Sequence, residues 1–230
     1  MNRYSSQKKL LVAVDCIIFG FDGQQLKILL IQRGFEPAKG KWSLMGGFVQ
    51  PEESCNEAAS RILKQLTGLD GVFLKQLQVF SDPHRDPLER TISVTYFALI
   101  NILDYEKQIS DQYHAEWFPV NKFPKLIFDH DEMVNMARRQ LRYDAAMHPL
   151  LIELLPQRFT LPQLQGLYED VYNTRLDKRN FARKLLSTGL LIRQADKDKG
   201  SSRKGAFLYK INRKAFNQNF LQKDFILGFK

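Results

Sequence analysis

The spacing of hydrophobic positions along the chain moves between unbroken apolar runs, strict alternation and helical stripes, and each change of spacing predicts a change of element. Leu10–Phe19 (LLVAVDCIIF) and Leu26–Gln32 (LKILLIQ) are apolar, β-branched runs separated by GFDGQQ, and they predict a buried β-hairpin. Val72–Phe80 and Ala115–Val120 are further strand candidates, and Thr91–Ile100 alternates as a strand should. Between them a helix begins near Ser54 and ends near Gly68, a residue suited to a C-cap. Asp129–Met147 carries Met133, Met136, Ala137, Leu141 and Ala145 on one helical stripe, which predicts core or interface packing, and Pro149 breaks it.

Beyond Pro149 the pattern is different. Leu150–Leu155 is a short apolar helix, and Thr160 is placed to N-cap a helix running to Tyr172 with Pro162 in its first turn. Asp177–Thr188 then puts Phe181, Leu185 and Leu186 inward and Lys178, Arg179, Asn180, Arg183, Lys184 and Ser187 outward. Leu190–Gln194, the loop DKDKGSSRKG and Ala206–Ile211 read as a hairpin. Helix, helix, helix, strand, basic loop, strand is the order of a winged helix-turn-helix.

Charge sharpens this division. The 230 residues carry 34 Lys and Arg against 25 Asp and Glu, a net of +9. From Met1 to Met147 the count is 18 against 18, and from His148 to Lys230 it is 16 against 7. The expectation is a neutral domain over 1–147 joined to a basic domain over 148–230 that meets a polyanion, nucleic acid before an anionic membrane. Cys16 and Cys55 have no CxxC or Cys/His cluster around them and read as free thiols. The start does not resemble a signal peptide and no apolar run reaches membrane-spanning length, so a soluble cytoplasmic chain is expected, with no membrane partner.

The candidate chemistry lies in GGFVQPEESCNEAASRILKQLTGL, Gly46 to Leu69. It resembles the Nudix box, G-x5-E-x7-R-E-U-x-E-E-x-G-U, with U a bulky aliphatic. Gly47, Glu53, Arg61, Leu63, Gly68 and Leu69 fall in register, and the preceding KGKWSLMGGF resembles the Nudix lead-in with Met45 in place of Pro. Three acids are missing: the resemblance puts Glu where Ile62, Gln65 and Leu66 stand. Nudix enzymes cleave diphosphates with Mg²⁺, a hard cation held by oxygen ligands. Neither catalysis, a metal nor a cofactor is therefore expected here. An active hydrolase would have to draw on Glu52, Glu53 and Glu57, the only nearby acids. The segment SDPHRDPLERTISVTYFALI is similar to an element of ADP-ribose-type Nudix proteins through Asp82, Pro83, Arg85, Asp86, Pro87, Arg90, Ser93, Val94 and Tyr96, with His84 a plain loop residue.

Taken together, the fold expected is α+β, a Nudix α/β/α sandwich followed by a winged helix-turn-helix domain. That combination resembles the Nudix-related transcriptional regulators, and within them the arabinose-utilisation type of Bacteroides, also with a degenerate box. The resemblance implies a repressor of sugar utilisation that binds double-stranded operator DNA as a homodimer and releases it on binding a small effector. L-arabinose is the effector so implied; other members respond to ADP-ribose, which is the alternative. Asp15, Arg33, Lys41, Trp42, Ser43, Asp82 and Tyr96 are the candidate effector residues, and Arg33, Arg61, Arg85 and Arg90 are possible phosphate donors. The candidate DNA residues are Lys178, Arg179, Asn180, Arg183, Lys184 and Ser187, with Arg203 and Lys204 in the basic loop. An RNA-binding or scaffold role is the remaining class, disfavoured because the outer face of the 177–188 helix has no stacking aromatics.

Overall fold

A computed structural model describes residues 7–105, 107–109, 114–147, 150–198 and 205–221. The first half is built on β1 (Leu11–Phe21), whose residues from Ala13 on are buried on both faces, as its apolar run predicts. β1 pairs antiparallel with β2 (Leu26–Gln32) and with β4 (Met45–Phe48), and parallel along its whole length with β6 (Thr91–Asn101). β3 (Trp42–Ser43) and β7 (Glu116–Pro119) extend the sheet beyond β2, β5 (Lys75–Phe80) lies outside β6, and β6 leads into the short helix α2 (Ile102–Tyr105). The strand candidate Val72–Phe80 thus begins at Lys75.

Alternation along β1 sorts the core into two layers. Val14, Cys16 and Ile18 face α1 (Cys55–Thr67), with Ala58, Ala59, Ile62 and Leu63. Ile17, Phe19 and Phe21 face α3 (His130–Met147), with Met133, Ala137, Leu141 and Ala145. Met136 completes the predicted stripe from a half-buried position. The ends of α1 are set by its sequence: Ser54 and Glu57 form a capping box, and Gly68 closes the helix at φ 82°, a left-handed conformation suited to glycine. Cys16 is buried, and burial pushes its thiol pKa up; Cys55 is half-buried, and both are free.

In the second half a 3₁₀ turn (Leu150–Leu154) leads to β8 (Phe159–Thr160) and α4 (Leu161–Tyr172). Thr160 caps α4 in a box with Gln163, and Asp177 caps α5 (Lys178–Ser187). β9 (Leu191–Asp198) and β10 (Ala206–Ile211) form the wing, with β8 as third strand, and α6 (Arg213–Leu221) follows. Two expectations need correction. Leu186 is not inward but 44% exposed, because Phe181 and Leu185 alone fill the stripe facing α4. The first wing strand runs to Asp198 rather than Gln194, so residues 196–198 of the supposed loop belong to the strand. Arg203 and Lys204 lie outside the described residues.

The two halves share one apolar cluster, in which Leu151, Phe159, Leu164 and Tyr168 continue the layer containing Phe19 and Leu141. Polar contacts fix the join. The Leu26 N–H donates to Asp170 Oδ2 (2.8 Å), Gln163 Nε2 to Gly23 O (3.3 Å) and Arg142 Nε to Val171 O (2.8 Å). The β1–β2 turn and the end of α3 are thus both tied to α4. Among the described residues no helix is long and apolar enough to cross a membrane.

Candidate functional site

A cleft is lined by β1, β2, β4, the box helix and the loops that carry Arg85 and Phe128. Its base is a buried charge network. Asp15 accepts from Ser93 Oγ (2.6 Å), and Arg85, its side chain 5% exposed, donates to both oxygens of Asp129 (2.9 Å each). Arg85 Nη2 also lies 3.6 Å from Asp15 Oδ2, and His130 Nε2 lies 3.6 Å from Asp15 Oδ1. The Leu44 N–H points at His130 Nδ1 (3.2 Å), so that nitrogen is the acceptor and the proton of the neutral ring sits on Nε2, facing Asp15. Burial holds the His130 pKa below its ordinary value, against the opposing pull of Asp15 and Asp129.

Chain geometry brings these groups together. Ile127 N donates to Trp42 O (3.1 Å), which pins the start of α3 beside β3, and Phe128 turns in a left-handed conformation (φ 50°) unusual for a bulky residue. At the mouth, Arg33 lies 3.9 Å from the Phe35 ring centroid and 5.6 Å from that of Phe128.

Of the predicted effector residues, the cleft brings together Asp15, Arg33 and Ser43. Four others fall outside its lining. Lys41 is exposed in the turn before β3, and Trp42 faces away from Ser43 to pack edge-on against Phe118. Asp82 is exposed and accepts from the His84 N–H (2.7 Å). Tyr96 lies in the opposite core layer, with its hydroxyl donating to Asn56 Oδ1 (2.6 Å). Among the possible phosphate donors, Arg85 and Arg33 reach the cleft, whereas Arg61 is paired with Glu53 and Arg90 donates to the carbonyls of Ser81, Asp82 and Thr91. Sequence reasoning missed His130, Asp129 and Phe128, whose placement depends on the Trp42–Ile127 contact rather than on any periodicity.

The box helix presents Leu66 to this cleft. Ile62 is 3% exposed and stands where a Cβ on Gly47 would meet its Cδ1 at 2.7 Å, Leu66 lines the cleft, and Gln65 is exposed. Glu53 is held by Arg61 (2.8 Å at Nε) and by the Gln50 N–H, which bring its pKa down to about 2, and Glu57 serves the capping box. This donor set does not fit Mg²⁺, which takes oxygen ligands and rarely fewer than one or two free carboxylates.

The second candidate surface is the outer face of α5, where Lys178, Arg179, Asn180, Arg183, Lys184 and Ser187 are all exposed, as the sequence predicts. Arg183 Nη2 donates to Asn180 Oδ1 (3.1 Å), and these two present a planar polar pair on the helix surface. On the wing, Arg193 Cζ lies 3.4 Å and Lys197 Nζ 4.4 Å from the Phe207 ring centroid, so one ring holds two cations.

Comparison with known proteins matches both halves of the chain. Residues 9–142 match the NUDIX domain and residues 151–211 the NrtR DNA-binding winged helix domain. The chain is 36% identical over 214 residues to the ADPR responsive transcriptional repressor NtrR of Acinetobacter baylyi, across 91% of this chain and 85% of that one. It superposes on Shewanella oneidensis NrtR complexed with a 27mer DNA at a TM-score of 0.72, with 29% identity over 90% of this chain and 95% of that one. The NUDIX domain of that protein complexed with ADP ribose matches at 0.52, with 32% identity over 60% of this chain and 92% of that domain. These relatives lend no support to the arabinose-utilisation type. The chain therefore belongs to the NUDIX family, among the DNA-binding transcriptional repressors that join a NUDIX domain to an NrtR-type winged helix.

Proposed function

We propose that the NUDIX cleft of this repressor binds ADP-ribose without cleaving it, and that filling the cleft loosens the winged helix from operator DNA. The observation that carries the reading is the lining of the cleft: Arg33 remains as a cationic group at its mouth, the box helix contributes the apolar Leu66, and Ile62 is buried in the core behind Gly47 in place of a carboxylate. Guanidinium groups suit phosphate oxygens, and the Phe35 and Phe128 rings beside Arg33 offer flat faces to a purine. The ligands named for the Acinetobacter and Shewanella relatives favour the same choice over L-arabinose, the effector that the sequence resemblance first implied.

The winged helix reads DNA with α5 in the major groove, Arg179, Asn180 and Arg183 toward base edges and the lysines toward phosphates. A two-fold dimer through the neutral NUDIX half pairs two such helices, since one alone reads few base pairs. Helix α3 is the mechanical link. Asp129 and His130 stand at its start in the cleft, and Arg142 near its end donates to Val171 O of α4.

Thermal shift of the full chain against ADP-ribose and L-arabinose separates the two effectors, because a ligand that binds the native state raises its melting temperature. Stabilisation by ADP-ribose alone is expected, and stabilisation by the sugar alone would overturn the choice. Incubation with ADP-ribose and Mg²⁺ should leave the nucleotide intact. Turnover that disappears with chelator and with Glu53→Gln would contradict the non-catalytic reading.

A further inference from the structure

The base of the cleft holds an acid whose neighbours leave it short of partners. Asp15 is 4% exposed, and its Oδ2 is taken by Ser93. Among the described residues its Oδ1 has no donor within hydrogen-bond distance. His130 Nε2 is nearest at 3.6 Å, and Arg85 gives its good hydrogen bonds to Asp129. Asp15 lines the cleft, so Oδ1 keeps its lone pairs open to a donor that a ligand brings. The strand beside it leaves the approach open, since a Cβ on Gly46 would stand 2.3 Å from Oδ1 and cover it.

The chemistry of the absent donor follows from its surroundings. A phosphate would bring a second negative charge against the carboxylate. A cation would meet the Arg85 guanidinium, already 3.6 Å from the same carboxylate. A hydroxyl fits on both counts, because it donates to Asp15 Oδ1 while accepting from the His130 Nε2–H, which points the same way. Ser43 Oγ, on the same lining, is spent on Leu44 O and leaves this pair as the free recognition element.

We infer that the base of the cleft is a polyol subsite in which Asp15 Oδ1 accepts a hydroxyl of a sugar ring. On the reading that the cleft takes ADP-ribose, on which this rests, the terminal ribose enters first and the diphosphate lies outward, toward Arg33. A free pentose would use the same two groups.

The test is isothermal titration of the full chain with ADP-ribose, with ADP, which lacks the terminal ribose, and with L-arabinose. Wild-type protein should bind ADP-ribose on the order of tenfold or more tighter than ADP, as the loss of a charge-assisted hydrogen bond implies. Asp15→Asn should narrow that gap, lowering ADP-ribose affinity relative to ADP affinity. ADP bound as tightly as ADP-ribose by the wild type overturns the subsite even if the variant fails to fold. A gap that persists in a folded Asp15→Asn protein also overturns it. Arabinose binding that is lost in Asp15→Asn, with neither nucleotide bound, would keep the subsite and overturn the ADP-ribose reading. Absence of all three ligands from the wild type would overturn both.

Discussion

The cleft and the DNA-binding face carry similar residue types under opposite conditions. In the cleft Arg85, Asp129, Asp15 and His130 are buried against one another, whereas on the second half Arg179, Arg183, Arg193 and Lys197 stand in solvent. Buried charges are paired because leaving one alone costs several kcal/mol, and their arrangement can discriminate one ligand from another. Exposed cations cost little to keep and lend long-range attraction to a polyanion. The same guanidinium is therefore structural in one half and available for binding in the other.

That contrast is broken most severely by removing Arg85. Arg85→Ala strands two carboxylates and should lower unfolding free energy by about 3 kcal/mol in denaturant titration. Arg183→Ala, which removes an exposed side chain, should stay within about 0.5 kcal/mol of wild type. Equal losses would mean that burial does not separate the two classes.

Next in size is the effect on DNA. Arg183→Ala should weaken cognate binding by about 1–3 kcal/mol and relax sequence preference in a fluorescence assay. If it leaves both unchanged, α5 is not the recognition helix. On the wing, Arg193→Ala and Lys197→Ala should weaken all duplexes alike, each reducing the slope of log affinity against log salt by about one. An unaltered slope would leave the Phe207 pair without a phosphate to hold.

How much of this was legible in the sequence depends on whether a residue's place is set locally. Ser54, Gly68, Thr160 and Asp177 end their helices through groups within a few positions; the first three could be read in advance, whereas Asp177, read as the first helical residue, is the cap. The outward face of α5 follows from helical period alone. Effector residues are set by strand parity and by contacts between distant segments. Asp15 and Ser93 share a face, which puts Tyr96 on the other side of the same strand. Trp42 and Ser43 are neighbours in sequence, and only one of them can face the cleft. His130 gave no signal in a chain where its partners lie 86 and 115 positions away in Leu44 and Asp15.

A smaller effect comes from pH. Burial lowers the His130 pKa, so below about pH 6.5 the unfolded chain takes up a proton that the folded chain refuses. The contribution of this group is complete above that pH and is lost as the pH falls. His130→Asn should flatten the acid side of the melting-temperature profile between pH 7 and 5, and an unchanged profile would place the dependence elsewhere.

Coupling between the two differently charged surfaces can be measured directly. ADP-ribose is titrated into the full chain alone and into the chain saturated with a duplex selected by the protein from a random pool. Linkage requires the factor by which ADP-ribose weakens DNA binding to equal the factor by which DNA weakens ADP-ribose binding. Weaker ADP-ribose binding by the DNA complex, by that same factor, is expected; equal affinity in the two titrations would rule out coupling.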